Sequence, residues 1–278
     1  MIDKKILNYQ KDPEDKRDFV FKESLGPEDN FMKAVSTAPS VVDHTKAMTP
    51  VKNQGSLGSC VGFSVTAMKE WQETREHLME VSMGKKDHRK GKVYDLSEAW
   101  LYWNCKKIDG IPNQEGTYIR SAMRVLRKIG VPCESAWPYN DKIKGEPEHW
   151  GKLIARWALI DSYWRVSTVE EMKVALINGP VVLGIPCFDT IFYADETGLI
   201  AYPRDPNKVY GGHALCAVGY NDNSYGGCIK IKNSWGKYWG KSGYGFIPYS
   251  YIRDFLWDAW ASKDVSVTKE MLAGERLL

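Results

Sequence analysis

The spacing of apolar residues changes character at Pro180, and this restricts the chain's fold more than any other feature. Before it, the pattern is helical. Val61, Val65, Met68 and Trp71 share one face, with Lys69, Glu70 and Glu73 on others. They predict a helix from Cys60 into the early eighties. "LSEAWLYWNCKK" predicts a second, capped by Ser97, with Trp100 and Trp103 on one side. "GTYIRSAMRVLRKIG" predicts a third, with Thr117 as cap and Gly130 as its end. "STVEEMKVALINGP" predicts a fourth, with a capping box from Ser167 to Glu170. After Pro180 the runs "VVLGIPC", "HALCAVGY", "CIKIKN" and "GYGFIPY" are short, rich in β-branched and aromatic residues, and separated by glycine turns. A helical half followed by a strand-rich half implies an α+β fold with a cleft where the halves meet.

The outer parts of the chain are polar. Residues 1–38 carry Pro13 and Pro27 and show weak periodicity, so they read as an extended arm. "MGKKDHRKGK" reads as a solvated loop, and residues past about 262 as a tail. Eleven tryptophans and fifteen tyrosines argue for a large core and aromatic-lined clefts. The net charge of +3 is too balanced for a nucleic-acid binder. The charged start lacks the apolar run of a signal peptide, and no stretch approaches a membrane span. The expectation is a soluble, cytoplasmic protein. Its six cysteines include no C-x-x-C pair, so a zinc site is not expected. Cys105, Cys133, Cys187, Cys216 and Cys228 read as reduced packing thiols.

Cys60 differs. "NQGSLGSCVGFS" puts it where a glycine turn becomes a helix, and unpaired N–H groups at a helix start stabilise a thiolate. The same residue could merely fill a core. A thiolate nucleophile needs a base. Of five histidines, His44, His77, His88 and His149 lie in polar or charged surroundings. His213 follows Gly211 and Gly212 at the opening of an apolar strand. It could equally be a satisfied strand-end histidine. Asn233, ending another strand, could orient the imidazole without adding charge, or could be a turn residue. Trp235 beside it would exclude water. Gln54 could supply a second oxyanion donor next to the Cys60 N–H.

Together these blocks resemble the papain and cathepsin family of cysteine peptidases. "PVKNQGSLGSC", "GGHALCAVGY" and "NSWGKYWGKSGYGF" match its three motif regions, and the likeness spans roughly Ala38 to Ser262. The resemblance implies a papain-like α+β fold with an antiparallel C-terminal half and a cleft between the halves. It implies Cys60 as nucleophile, His213 as general acid–base, Asn233 as its orienter and Gln54 in the oxyanion hole. Gly58, Ser59, Gly116, Tyr118, Gly212 and Trp235 would contact an extended peptide or protein substrate. Gly116 would pair with its backbone. No metal or organic cofactor is implied, and the oligomeric state is left open. Leu57 stands where the family usually has a disulfide cysteine, and Val61 where it has an aromatic. The Cys60-to-His213 separation slightly exceeds the usual range of about 130–150 residues. These departures resemble the disulfide-poor bacterial and viral members.

The expected organisation is an N-terminal extension (1–38), a peptidase domain (39–262) and a polar tail (263–278). The extension is either a structural arm, clipped on through Phe19 and Phe21 away from the cleft, or a short pro-segment. Two other activities fit the same residues: a peptide ligase or transamidase, and a non-catalytic binding protein on a peptidase scaffold.

Overall fold

Val181–Cys187 (β3) and Gly211–Asn221 (β4), two of the most apolar runs after Pro180, pair antiparallel at the centre of a sheet. Both are buried along nearly their whole length, which explains why they read as continuous apolar runs and not as alternating ones. The structure is a computed structural model. It describes residues 7–84, 86, 94–142, 149–194 and 196–265, the side chains of 149 and 150 excepted. The loop expected at residues 83–92 and the tail expected past 262 lie largely outside these residues.

The remaining elements are α1 (Phe21–Ser24), α2 (Glu28–Ser36), β1 (Val41–Asp43), α3 (Cys60–Ser82), α4 (Glu98–Ile108) and α5 (Ile119–Lys128). They continue with α6 (His149–Ala155), β2 (Ile160–Arg165), α7 (Val169–Asn178), β5 (Cys228–Lys232), β6 (Tyr244–Pro248), α8 (Tyr249–Phe255) and β7 (Asp258–Asp264). The sheet order is β2-β7-β3-β4-β5-β6, with β1 also on β4, and every pairing is antiparallel. Ile185 faces His213 across the β3–β4 ladder.

Successive strand residues point to opposite faces, so the sheet separates two cores. Val182, Ala214, Cys216 and Val218 join Met68, Trp100, Leu101 and Met123 of the helical half. Val181, Leu183, Ile185 and Leu215 join Met172, Leu176, Tyr251 and Ile252 on the other side. Each fully buried aliphatic side chain stabilises the fold by roughly 1.5–3 kcal/mol. No described helix is long and apolar enough to cross a membrane.

The helices α3, α4, α5 and α7 arise where the spacing predicts them, but two caps differ. Ser97 caps α4 as expected, accepting from Trp100 N. Thr117 does not cap α5: its hydroxyl donates to Asp109, and Tyr118 takes the N-cap position. The α7 box lies one residue on. Thr168 accepts from Glu171 N, and Glu171 accepts from Ser167 N. The arm is also more structured than its polarity suggests, since it contains α1 and α2 and buries Phe21 and Phe31 in the sheet-side core.

Candidate active site

Cys60 is the first residue of α3. Ser59, its N-cap, makes no side-chain bond to the helix, so the first N–H groups stay free for another acceptor. The Cys60 sulfur takes up that role. The N–H groups of Cys60 itself, Val61 and Ala214 all act to lower the thiol's pKa. Ala214 follows His213 in β4, so the strand that carries the imidazole also reaches the Cys60 sulfur through its backbone. The loop before the helix is stitched to the segment after β5. Gln54 N donates to Ser234 O (2.9 Å), Gly236 N donates to Lys52 O (3.0 Å), and Asn53 bridges to Trp235. Three distant stretches of chain thus meet at one end of α3.

His213 and Asn233 are joined at 2.8 Å between Nε2 and Oδ1. The Trp235 ring stacks on the imidazole, with centroids 4.6 Å apart. His213 Nδ1 is buried and has no hydrogen-bond partner among the described residues. With Nε2 donating to Asn233, Nδ1 is left as the proton acceptor.

Gln54 is fully buried and its amide is held at both ends. Ser234 Oγ donates to Oε1 (2.6 Å), and Nε2 donates to Leu57 O (2.9 Å). An amide nitrogen has two hydrogens, so one donor remains. Ser234 was not singled out in the sequence. Its "NSWG" setting gives no sign that the hydroxyl reaches back 180 residues to Gln54.

The arm does not stay off the cleft. Residues 7–10 run across the glycines on either side of Cys60. Gly212 N donates to Leu7 O (3.2 Å), Tyr9 N donates to Gly212 O (3.0 Å), and Gln10 N donates to Thr117 O (3.3 Å). Asn8 lies against Gly58 and Gly116, and its side chain donates to Glu115. A Cβ on Gly116, whose φ is +82°, would sit 1.7 Å from Asn8 O, so only glycine lets the two backbones approach. A Cβ on Gly184 would sit 2.0 Å from Tyr9 Cε1. Tyr9 therefore fills a pocket in the sheet, where its hydroxyl meets Asp258 Oδ2 at 2.6 Å. Phe21 anchors the arm through its buried ring, whereas Phe19 is 68% exposed and is tied down by its carbonyl, which accepts from Arg165 N (2.8 Å).

Of the ten residues named from sequence, the structure gathers Cys60, His213, Asn233, Gln54, Trp235, Gly58, Ser59, Gly116 and Gly212 around this cleft. Tyr118 takes the N-cap position of α5, and its neighbour Thr117 receives the Gln10 N–H. Asp258 and Tyr139 also belong to the surroundings and were missed. The first lies in a strand outside the four apolar runs marked after Pro180, the second in the irregular segment "WPYN".

Burial governs the electrostatics. It pushes the Cys60 thiol up to about 11 despite the N–H groups around it. It lowers His213 to about 4, against the opposing pull of the Asn233 bond. The acidic thiol expected from the helix start is thus absent in this covered form, because desolvation outweighs the helix terminus. Both groups are neutral near pH 7. No described cluster of His, Cys, Asp and Glu could hold a metal ion.

The family model "Papain family cysteine protease" matches residues 38–252, beginning just after α2. An uncharacterized peptidase C1-like protein of Acanthamoeba polyphaga mimivirus is 27% identical over 94% of this chain and 87% of its own. Cysteine proteinase 3 of Entamoeba histolytica is 31% identical over 77% of this chain, which covers 64% of that relative's length. Among solved structures, xylellain, a cysteine protease from Xylella fastidiosa, superposes with a TM-score of 0.78 at 26% identity. That match covers 95% of this chain and 97% of xylellain, so the viral and bacterial likenesses reach into the arm.

Proposed function

The chain belongs to the papain family of cysteine proteases, and on that premise we propose that it hydrolyses peptide bonds through Cys60, His213, Asn233 and Gln54. The observation that carries this reading is the imidazole. It is held by Asn233 on one nitrogen, shielded by Trp235 and left without a partner on the other, and it sits in the strand whose Ala214 N–H reaches the thiol at an uncapped helix start.

The Cys60 proton passes to His213 Nδ1, and the sulfur attacks the substrate carbonyl carbon, forming a C–S bond. Negative charge develops on the carbonyl oxygen. The Cys60 N–H and the remaining Gln54 N–H receive it. The C–N bond then breaks, and the proton on His213 moves to the departing amine. Water enters, gives a proton back to His213 and attacks the thioester. Release of the acid returns the proton to the sulfur. Asn233 keeps the ring in register and carries no charge of its own.

The same geometry supports a latent state. The arm follows the path an extended peptide would take between Gly116 and Gly212, and with the arm in place the thiol and imidazole are both fully buried. The arm is both part of the fold and a cover for the cleft. An unstructured protein incubated with the full chain tests the chemistry. Cys60→Ala should leave it uncut, and His213→Ala should be nearly as severe. Turnover above background by Cys60→Ala would end this reading.

A further inference from the structure

A single hydroxyl joins the two halves of the oxyanion-stabilising group. Tyr139 Oη donates to Gln54 O at 2.7 Å and lies 2.7 Å from Ser59 Oγ. A phenol has one proton. Because it goes to Gln54, the Ser59 hydroxyl is the donor in the second bond. One of these residues carries the amide of the hole. The other precedes Cys60, whose own N–H is the second donor. The bonds Gln54–Tyr139, Tyr139–Ser59, Ser59–Leu57 and Leu57–Gln54 close a ring around the turn.

The tyrosine is itself fixed. Its ring meets Phe63 of α3 edge-on, with centroids 4.7 Å apart, and its backbone N–H donates to Glu134. Burial pushes its phenol further up, so it keeps its proton at any working pH. Two residues on, Asp141 accepts from Ser56 Oγ at 3.0 Å. The stretch 139–141 thus clamps the turn 54–59 from outside, about 80 residues away in the chain.

We propose that Tyr139 is a positioning residue for catalysis, which sets the Gln54 amide and the Cys60 N–H at the spacing the tetrahedral intermediate requires. The inference rests on the catalytic reading above. It adds a residue that touches neither substrate nor reacting atoms. Loss of one oxyanion donor costs on the order of 10²–10³ in rate, and a loosened donor should cost less, about 10-fold.

Tyr139→Phe keeps the ring on Phe63 and deletes only the hydroxyl. In the full-length chain, with turnover normalised to the Cys60 thiol that reacts with an epoxide, kcat should fall about 10-fold with KM unchanged. Alkylation of Cys60 by iodoacetamide, a displacement that forms no oxyanion, should proceed as in the wild type. In a Gln54→Ala background the same substitution should lower kcat by clearly less than it does in the wild type, because one of the two donors whose spacing it sets is gone. Ser59→Ala, which cuts the other end of the bridge, should reproduce part of the loss. Wild-type kcat in Tyr139→Phe would overturn the proposal. So would a loss multiplying in full with that of Gln54→Ala, or an equal fall in alkylation. Turnover retained by Cys60→Ala would instead overturn the catalytic reading, so the two failures are separable.

Discussion

Tyr9 Oη donates to Asp258 Oδ2 at 2.6 Å, tying the arm to the last strand of the sheet. Asp258 is shared three ways. Its Oδ2 also accepts from Asp12 N, and its Oδ1 pairs with Arg165 at 2.8 Å. Asp12 in turn accepts from Trp260 Nε1 at 2.8 Å. The arm is therefore locked through buried polar groups.

Loosening this lock should expose the thiol. Tyr9→Ala removes a hydrogen bond to a carboxylate, about 1.5–3 kcal/mol, and the burial of an aromatic ring. Phe21 and Phe31 remain to hold the arm on the sheet-side core. Epoxide labelling of Cys60 should speed up by about 10-fold or more, since 1.4 kcal/mol is a factor of ten in an opening equilibrium. The melting temperature should fall by a few degrees. Unchanged labelling would mean that the arm does not gate the thiol.

The lock should also respond to pH. Burial and the neighbouring Asp258 carboxylate raise Asp12 to about 7, against the opposing pull of Arg120 and the Trp260 and Arg120 N–H bonds. An unfolded aspartate titrates near 3.9. Between about pH 4 and 7 the folded chain therefore holds a proton that the unfolded chain has lost, so stability declines across that window and levels off above it. His213 works in the opposite sense: its imidazole, lowered to about 4, disfavours the folded form as pH falls below about 6.5. Comparison with Asp12→Asn isolates the first effect, because the amide imitates the protonated acid. The melting temperature of the wild type should drop relative to Asp12→Asn as pH rises from 4.5 to 7.5. A constant difference would show that Asp12 does not titrate in this range.

The helices, the four strands after Pro180 and the thiol–imidazole–amide set are legible because each rests on local pattern. Apolar spacing marks α3, and alternation marks β5. Glycines mark where another backbone must come close, and Gly116 and Gly212 do meet one, although it belongs to the chain's own arm. What was not legible depends on partners far away. Strands β1, β2 and β7 are short or polar at their ends, and they form because β4 offers a ladder to β1, β3 offers one to β7, and β7 offers one to β2. The arm is poor in apolar residues, so its composition hides its grip. Its hold comes from buried polar groups, Tyr9 and Asp12 meeting Asp258 and Trp260 across about 250 residues, which no window along the sequence reveals. The thiol's pKa departs from the expectation for the same reason, because the helix start is local and the burial is not.

The cysteines provide the last expectation. All six are free thiols in the structure, five buried and Cys133 exposed. With Leu57 in place of a cysteine, the turn before α3 is held by the Tyr139 and Asp141 clamp and not by a disulfide. Unreduced protein, denatured and then alkylated, should gain six labels by mass. In the native protein Cys133 should react first. Cys60 should follow at the rate at which the arm opens, and Cys105, Cys187, Cys216 and Cys228 should wait for unfolding. Tyr9→Ala should accelerate the second step and leave the first unchanged. That separation distinguishes a gated thiol from a generally loosened protein, in which the buried thiols would speed up together. Two or more disulfides in the unreduced sample would contradict the free-thiol arrangement.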